Sequence, residues 1–352
     1  MSDDVRATIV SRIQERGHIS FAEYMDLALY GPGGYYERPP VGIDGDFITS
    51  PHVHPVFGEL LAAAIRELHE LLGAPTPFRL MEVGAGDGTL ARQLIGWLHD
   101  VPLEYLAVER SSGAREALVR IPGVWVSDRT ERGSHLVLAH ELVDDLAFRR
   151  VRGTARGPRE IRVAIGDDGR LVELLAEPDD DLRGIGAALQ PGEEAVHPDG
   201  ALAFIDEVAS GLDRGYALLI DYGAVGSAGG DPHGYRGHTV IEDFLADPGA
   251  SDITSGIDFA LMARRAVANG LVAFQTLTQR DALMALGFER WITAELMRQR
   301  EQLGRKEGAD AVRTWTRRSR ATLLVDPSAL GRMRWLLLAT SGLAAPQWLG
   351  HP

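Results

Sequence analysis

Apolar positions recur along this chain with two different periods, and the change between them marks its organisation. Val5, Ile9 and Ile13 fall at i, i+4 and i+8, which predicts a first amphipathic helix. Ser20 with Glu23 makes a capping box, and Ile19 with Tyr24 occupies the staple positions around it. A second helix should therefore run to about Leu29 and stop at Gly31. Phe57, Leu60, Leu61, Ala64, Leu68 and Leu71 form the stripe of a longer helix ending near Leu72. Short apolar runs then predict strands near 78–83, 103–108, 123–127 and 135–139, interleaved with helical segments as in a parallel α/β sheet. Residues 147–175 alternate apolar and polar positions around Gly157-Pro158 and Asp167-Asp168-Gly169, the pattern of an antiparallel insertion. A helix near 200–212, a strand over 216–223 and a long loop over 224–256 follow. The remaining elements are a helix near 257–269, a strand 271–277, a helix 279–286, charged helices over 291–320 and a last strand, Arg334–Ala339. The expected fold is an α/β core with a mostly parallel sheet over 76–352, insertions at about 147–180 and 224–256, and an N-terminal helical and loop extension over 1–75.

The stretch Leu80-Met81-Glu82-Val83-Gly84-Ala85-Gly86-Asp87-Gly88-Thr89-Leu90 carries the first chemistry. A strand feeds a turn with three glycines at alternate positions and then a helix, so backbone amides can approach a ligand that a Cβ would obstruct. The spacing is not the dinucleotide G-x-G-x-x-G, which disfavours a nicotinamide dehydrogenase, and no Lys-Ser/Thr follows as a phosphate loop requires. Glu82 suits a positively charged ligand, and S-adenosylmethionine, a sulfonium with an ammonium group and no phosphates, fits. Glu109 ends the second strand, from where a carboxylate binds ribose hydroxyls, and Asp128 ends the third. The plain alternative is a tight strand–helix turn with no ligand.

The fourth strand runs into His140-Glu141-Leu142-Val143-Asp144-Asp145. Ligands of open α/β sheets bind beyond the carboxyl ends of the strands, so Glu141 should face the same crevice as Gly86. In a helical turn Glu141, Asp144 and Asp145 share a face, and clustered carboxylates suit a cationic acceptor such as a guanidinium. The competing reading is a first helical turn stocked with acids to complement the dipole. A metal site at His140, Glu141 and Asp144 lacks H-E-x-x-H spacing, and His52 and His54 do not obviously converge on it. No G-x-S-x-G elbow exists for serine hydrolysis. The Gly31–Ser50 stretch is too glycine-rich for a regular element and too aromatic for a disordered linker, which predicts an ordered loop over a site, or one that caps the core.

Composition narrows the class. With 352 residues, 45% hydrophobic and 24% charged, the chain can bury a full core with additions. No apolar run reaches the ~20 residues of a membrane span, and the start lacks a signal-peptide pattern, so a cytoplasmic location is expected. Zero cysteines exclude disulfides and thiolate chemistry. A formal charge of −14 disfavours nucleic acid and mildly favours cationic partners. Seven arginines and Lys306 between Arg298 and Arg320 read as a solvated helix face. A homodimer is compatible with all of this.

Taken together these residues resemble the MidA-type class I methyltransferases, a family that includes a mitochondrial complex I assembly factor acting on an arginine. Similar to the family are Gly33-Gly34-Tyr35-Tyr36, Gly45 to Pro51 with Phe57-Gly58-Glu59, the Glu82–Leu90 turn, Glu141–Leu146, Leu219–Gly223, Tyr235-Arg236-Gly237-His238, Asp252-Ile253-Thr254 and Asp258-Phe259. The resemblance implies a Rossmann-like methyltransferase core. It implies S-adenosylmethionine held by Glu82, Gly84, Gly86, Gly88 and Glu109, with Tyr36, Thr49 and Ser50 on the segment closing over it; Asp128, read from its place at the third strand end, joins the same set. Glu141 and Asp144 would act at the acceptor, with His140 or His238 accepting a proton and Asp145 and Asp258 binding substrate. No metal is implied. The chain departs from the family at His52 (usually Glu), His140 (Asn), Val143 (an aromatic), Asp145 (Ala) and Ala147 (Pro), all in the loop or acceptor segment. The acceptor reads as arginine, in a protein or free, or another cationic small molecule. Competing readings are a biosynthetic N- or O-methyltransferase and a cofactor-binding assembly factor without turnover.

Overall fold

The computed structural model describes residues 2–37, 48–226, 232–236, 239–241 and 243–350. Its centre is a twisted sheet built from β1 (Phe78–Val83), β2 (Leu103–Val108), β3 (Val124–Ser127), β4 (Leu136–His140), β5 (Tyr216–Asp221), the short β6 (Val272–Ala273) and β7 (Leu277–Thr278), and β8 (Arg334–Ala339). The order is β6-β8-β5-β4-β1-β2-β3, with β7 also pairing with β8. β1 to β5 are mutually parallel, whereas β8 runs antiparallel to β5, β6 and β7. The chain moves outward from β1 through β2 to β3, then restarts at β4 on the other side of β1. That reversal opens a crevice beyond the carboxyl ends of β1 and β4.

Strands buried on both faces explain the continuous apolar runs. Along β5, Tyr216, Leu218 and Ile220 join one core with Leu61, Leu80, Leu136 and Trp335, while Ala217 and Leu219 face the opposite core with Met81, Val137, Ile205 and Leu336. Helix α1 (Ser2–Arg16) buries Val5, Ile9 and Ile13, and α2 (Phe21–Tyr30) starts where Ser20 Oγ accepts the Glu23 amide at 3.1 Å. Both helices pack on the insertion rather than on the central sheet. They share an apolar cluster with Phe148, Val163 and Leu171, and Ile19-Ser20 pairs with Arg162-Val163.

The antiparallel insertion carries Arg149–Arg152, Arg159–Ile165 and Leu171–Ala176, as the alternation predicts, and it also takes in Glu194–His197 beyond the expected boundary. The helix expected to end near Leu72 is split into α3 (Ser50–Val53) and α4 (Val56–Leu71), with His54 in extended conformation between them. The long loop expected over 224–256 contains a small antiparallel sheet of His233–Arg236, Thr239–Ile241 and Asp252–Thr254. Its side chains alternate too briefly to register as strands in the sequence. The strand expected over 271–277 is two short pieces, β6 and β7.

Candidate active site

The turn after β1 places its glycines for three different reasons. All three have positive φ: 76° at Gly84, 55° at Gly86 and 76° at Gly88. A Cβ on Gly84 would sit 2.9 Å from Leu142 Cδ1, so the turn lies directly against the β4 terminus. A Cβ on Gly88 would come within 2.4 Å of Ile121 Cδ1 and 2.8 Å of Leu118 Cδ2, and Gly88 caps α5 (Thr89–Trp97). A Cβ on Gly86 would meet nothing within 4 Å, because Gly86 opens on a crevice of about 1030 Å³. Gly84, Asp87, Glu109 and Asp128 line the same space. Glu109 accepts from the Gly86 amide and the Ser111 amide, each at 2.9 Å, which fixes its carboxylate on the wall.

Glu82 does not join them. It is 3% exposed beneath the turn, hydrogen-bonded by the Tyr105 hydroxyl at 2.6 Å, and absent from the crevice wall. Burial pushes its pKa up to about 8, against the lowering by Tyr105. The expectation that Glu82 faces a cationic ligand is corrected: the strand-end acid turned into the core. Ser50 is fully buried as well, its hydroxyl 3.4 Å from Gln279 Oε1, while Thr49 lines the crevice.

At the end of β4 the backbone does something costly. Glu141 has φ 51°, a left-handed conformation rare outside glycine, while its amide still donates to the Ile220 carbonyl at 2.8 Å. The twist aims its carboxylate into the crevice, where Oε1 accepts from the Ser50 amide at 3.2 Å. Burial pushes the Glu141 pKa up to about 8; the Ser50 amide opposes this and the negative Asp221 adds to it. His140 Nε2 lies 3.3 Å from Glu141 Oε1 but off the hydrogen-bonding direction, and is buried without a hydrogen-bond partner among the described residues. Burial first, and His52 second, push its pKa down to about 3, so it is a neutral ring behind the wall, packed on Phe57.

A single 3₁₀ turn, Val143–Asp145, brings Asp144 and Asp145 to the crevice beside Glu141. Asp221, at the end of β5, anchors that turn by accepting the Val143 amide at 2.6 Å and the Leu142 amide at 3.1 Å. Tyr36 OH lies 2.5 Å from Asp145 Oδ2 and 3.0 Å from Asp252 Oδ1, closing the cluster from the N-terminal segment. Burial, then the neighbouring carboxylates, hold Asp144 and Asp145 well above the usual carboxylate range. No Arg or Lys side chain among the described residues pairs with Glu141, Asp144 or Asp145.

Two other expectations change. Asp258 caps the helix Phe259–Ala268 by accepting the Ala260 amide at 2.9 Å, and accepts the Gly226 amide at 2.8 Å; it does not line the crevice. One carboxylate oxygen is taken by backbone amides and the other faces Arg264, which corrects the substrate-binding role. His238 lies outside the described residues. Conversely, Asp252 and Asp221 belong to the site although neither was singled out for it. Asp221 had a usable signal, an acid at a strand end, whereas Asp252 had only its place in a segment that matches the family.

The residues fit a nucleoside sulfonium: an open backbone approach at Gly86, a fixed carboxylate at Glu109, and no phosphate-binding cations on the turn. Residues 60–277 match the family described as "Putative S-adenosyl-L-methionine-dependent methyltransferase". Curated relatives include the protein arginine methyltransferase NDUFAF7, mitochondrial, of Homo sapiens, 30% identical over 310 residues covering 75% of this chain and 69% of that protein. The Danio rerio protein of the same name is 28% identical over 324 residues, covering 80% and 76%. A Burkholderia thailandensis crystal structure with S-adenosyl-homocysteine bound matches with TM-score 0.85 at 24% identity over 99% of this chain and 95% of that chain. A second crystal structure from that organism matches with TM-score 0.82 at 26% identity, over 99% and 94%. The mitochondrial designation of the curated relatives overturns the cytoplasmic expectation. The chain belongs to this family of S-adenosyl-L-methionine-dependent methyltransferases, and S-adenosyl-L-methionine is its cofactor.

Proposed function

We propose that the enzyme methylates a nitrogen of a guanidine-type acceptor, an arginine side chain of a protein above all. The observation that carries this reading is the group Glu141, Asp144 and Asp145, half-buried on the crevice wall beside the donor turn and, among the described residues, in no ion pair with an Arg or Lys. Clustered carboxylates without a cation beside them favour whatever brings one, and a guanidinium offers a rigid fork of donors that matches them in bidentate fashion. The name of the curated relatives, protein arginine methyltransferase, supports the same acceptor.

When bound, S-adenosylmethionine supplies a sulfonium-activated methyl group. The chain must then supply orientation and a proton sink, because a guanidinium with pKa above ~12 is a poor nucleophile. Glu141 serves as the residue that pins one edge of the guanidinium and takes its proton, with Asp144 holding the other edge. Both actions localise positive charge away from the attacking nitrogen and align it for transfer. Gly84, Gly86, Glu109 and Asp128 hold the donor, with Thr49 at its rim. Tyr36 and Asp145 sit with the acceptor group, and His140 supports Glu141 as a neutral neighbour.

Glu141→Gln keeps the shape and removes the proton sink. S-adenosylhomocysteine affinity by calorimetry should be unchanged, while transfer of a radiolabelled methyl group into lysate protein disappears. Label appearing in small molecules instead would replace the protein arginine by a free guanidine. Full turnover in the variant would end the assignment of Glu141.

A further inference from the structure

We propose that His52 is a positioning residue that ties the donor turn to the acceptor carboxylate. Its ring is almost enclosed, with side-chain exposure of 9%, and one ring nitrogen reaches the donor turn while the other holds its own segment. Nε2 lies 3.1 Å from Asp87 Oδ2, on the turn that carries Gly86 and Gly88. Nδ1 lies 2.8 Å from Oγ1 of Thr49, the residue just before α3. Asp87 already accepts the Thr89 amide and hydroxyl, each at 2.9 Å, so its carboxylate can only accept from the histidine. Nε2 therefore carries a proton toward Asp87, and Nδ1 shares its hydrogen bond with the Thr49 hydroxyl.

The next residue along, Ser50, donates its amide to Glu141. One imidazole thus stands between Asp87 on the donor side and, through Thr49 and Ser50, Glu141 on the acceptor side. The surroundings hold the segment in place from behind: Gln93 Nε2 donates to the Pro51 carbonyl at 2.9 Å, and Arg320 reaches the His52 carbonyl at 3.4 Å. Burial raises the Asp87 pKa, but the hydrogen bonds from His52 and Thr89 outweigh it and leave the group below its usual value, an ionised anchor for the ring. The acceptor half of this inference rests on the reading of Glu141 given above; the donor half does not.

The two halves separate experimentally because an asparagine amide occupies the Nδ1 position and a glutamine amide the Nε2 position. His52→Asn keeps the Thr49 contact and loses Asp87, and its Kd for S-adenosylhomocysteine, read by calorimetry, should rise about tenfold, the scale of one charge-assisted hydrogen bond. His52→Gln keeps Asp87 and loses Thr49. Its Kd should stay within about twofold, while amide hydrogen exchange over residues 48–54 accelerates about tenfold or more. Thr49→Val should accelerate amide exchange over residues 48–54 as His52→Gln does, and carries that part of the test if a histidine variant fails to fold. Parent-like affinity and exchange in all three variants, or equal loss of affinity in both histidine variants, would overturn the proposal. Glu141→Gln turnover reports on the acceptor reading separately.

Discussion

The carboxyl ends of β1 and β4 lie side by side and meet their ligands by opposite means. After β1, the unusual backbone falls on glycines, where positive φ is inexpensive, and the polar groups are satisfied: Glu109 by two amides, Asp87 by Thr89 and His52. After β4, a left-handed backbone falls on Glu141, and three half-buried carboxylates share a wall without an Arg or Lys counter-ion among the described residues. On the proposed reading, a settled donor site and a strained, cation-free acceptor site differ in what each needs from outside. The first needs only a shape, whereas the second needs a cation, and its strain is held by the surrounding fold.

The largest effect expected from this contrast is at Glu141. Its replacement by Gln should lower kcat about a thousandfold, the range of a lost proton acceptor, with the S-adenosylhomocysteine Kd unchanged. The donor side should fail instead by loss of stability. Gly88→Ala places a Cβ at φ 76° and 2.4 Å from Ile121 Cδ1, and should destabilise by about 2–4 kcal/mol in urea unfolding, combining a left-handed backbone cost with overpacking. A normal midpoint would show that the turn is looser than its contacts imply.

The pH dependence is the next effect in size. Glu141 has a folded pKa near 8, and the ionised form is the one that accepts a proton. The acceptor kcat/KM should therefore rise about tenfold per pH unit below that value and flatten above it, with the inflection gone in Glu141→Gln. The sign for stability is the reverse. Between the ordinary carboxylate range and pH 8 the folded protein holds a proton that the unfolded chain has released, so this group's contribution to stability falls as pH rises. A profile flat across that window would remove Glu141 from the chemistry. The smallest effect belongs to Glu82. Protonated beneath the turn and bonded to Tyr105, it should tolerate Gln with S-adenosylhomocysteine affinity kept within about twofold. A tenfold loss would return it to the ligand.

The misreadings have a common cause. Glu82, Glu109 and Asp258 all follow or end strands, and the sequence treats them alike. Which way a strand-end side chain turns depends on the first residues of the following turn and on what packs behind it. Tyr105 waits behind Glu82, whereas the Gly86 amide meets Glu109 at the crevice. Asp258 illustrates the other ambiguity, since an acid before a helix serves as a cap as readily as a ligand.

What the residues determine alone is local. The strand periods, the Ser20 cap, the Asp-Gly hairpin of the insertion and the glycine turn follow from spacings of a few residues, and they suffice to announce an α/β fold and its donor. The acceptor wall is different. Tyr36 meets Asp145 across 109 residues and Asp252 across 216, and Ser50 reaches Glu141 across 91. No periodicity links such positions; only the packing of the N-terminal segment and the small 233–254 sheet around the β4 terminus brings them together. Carboxylates repel one another unless a fold confines them, so this cluster exists only once the tertiary structure has been made.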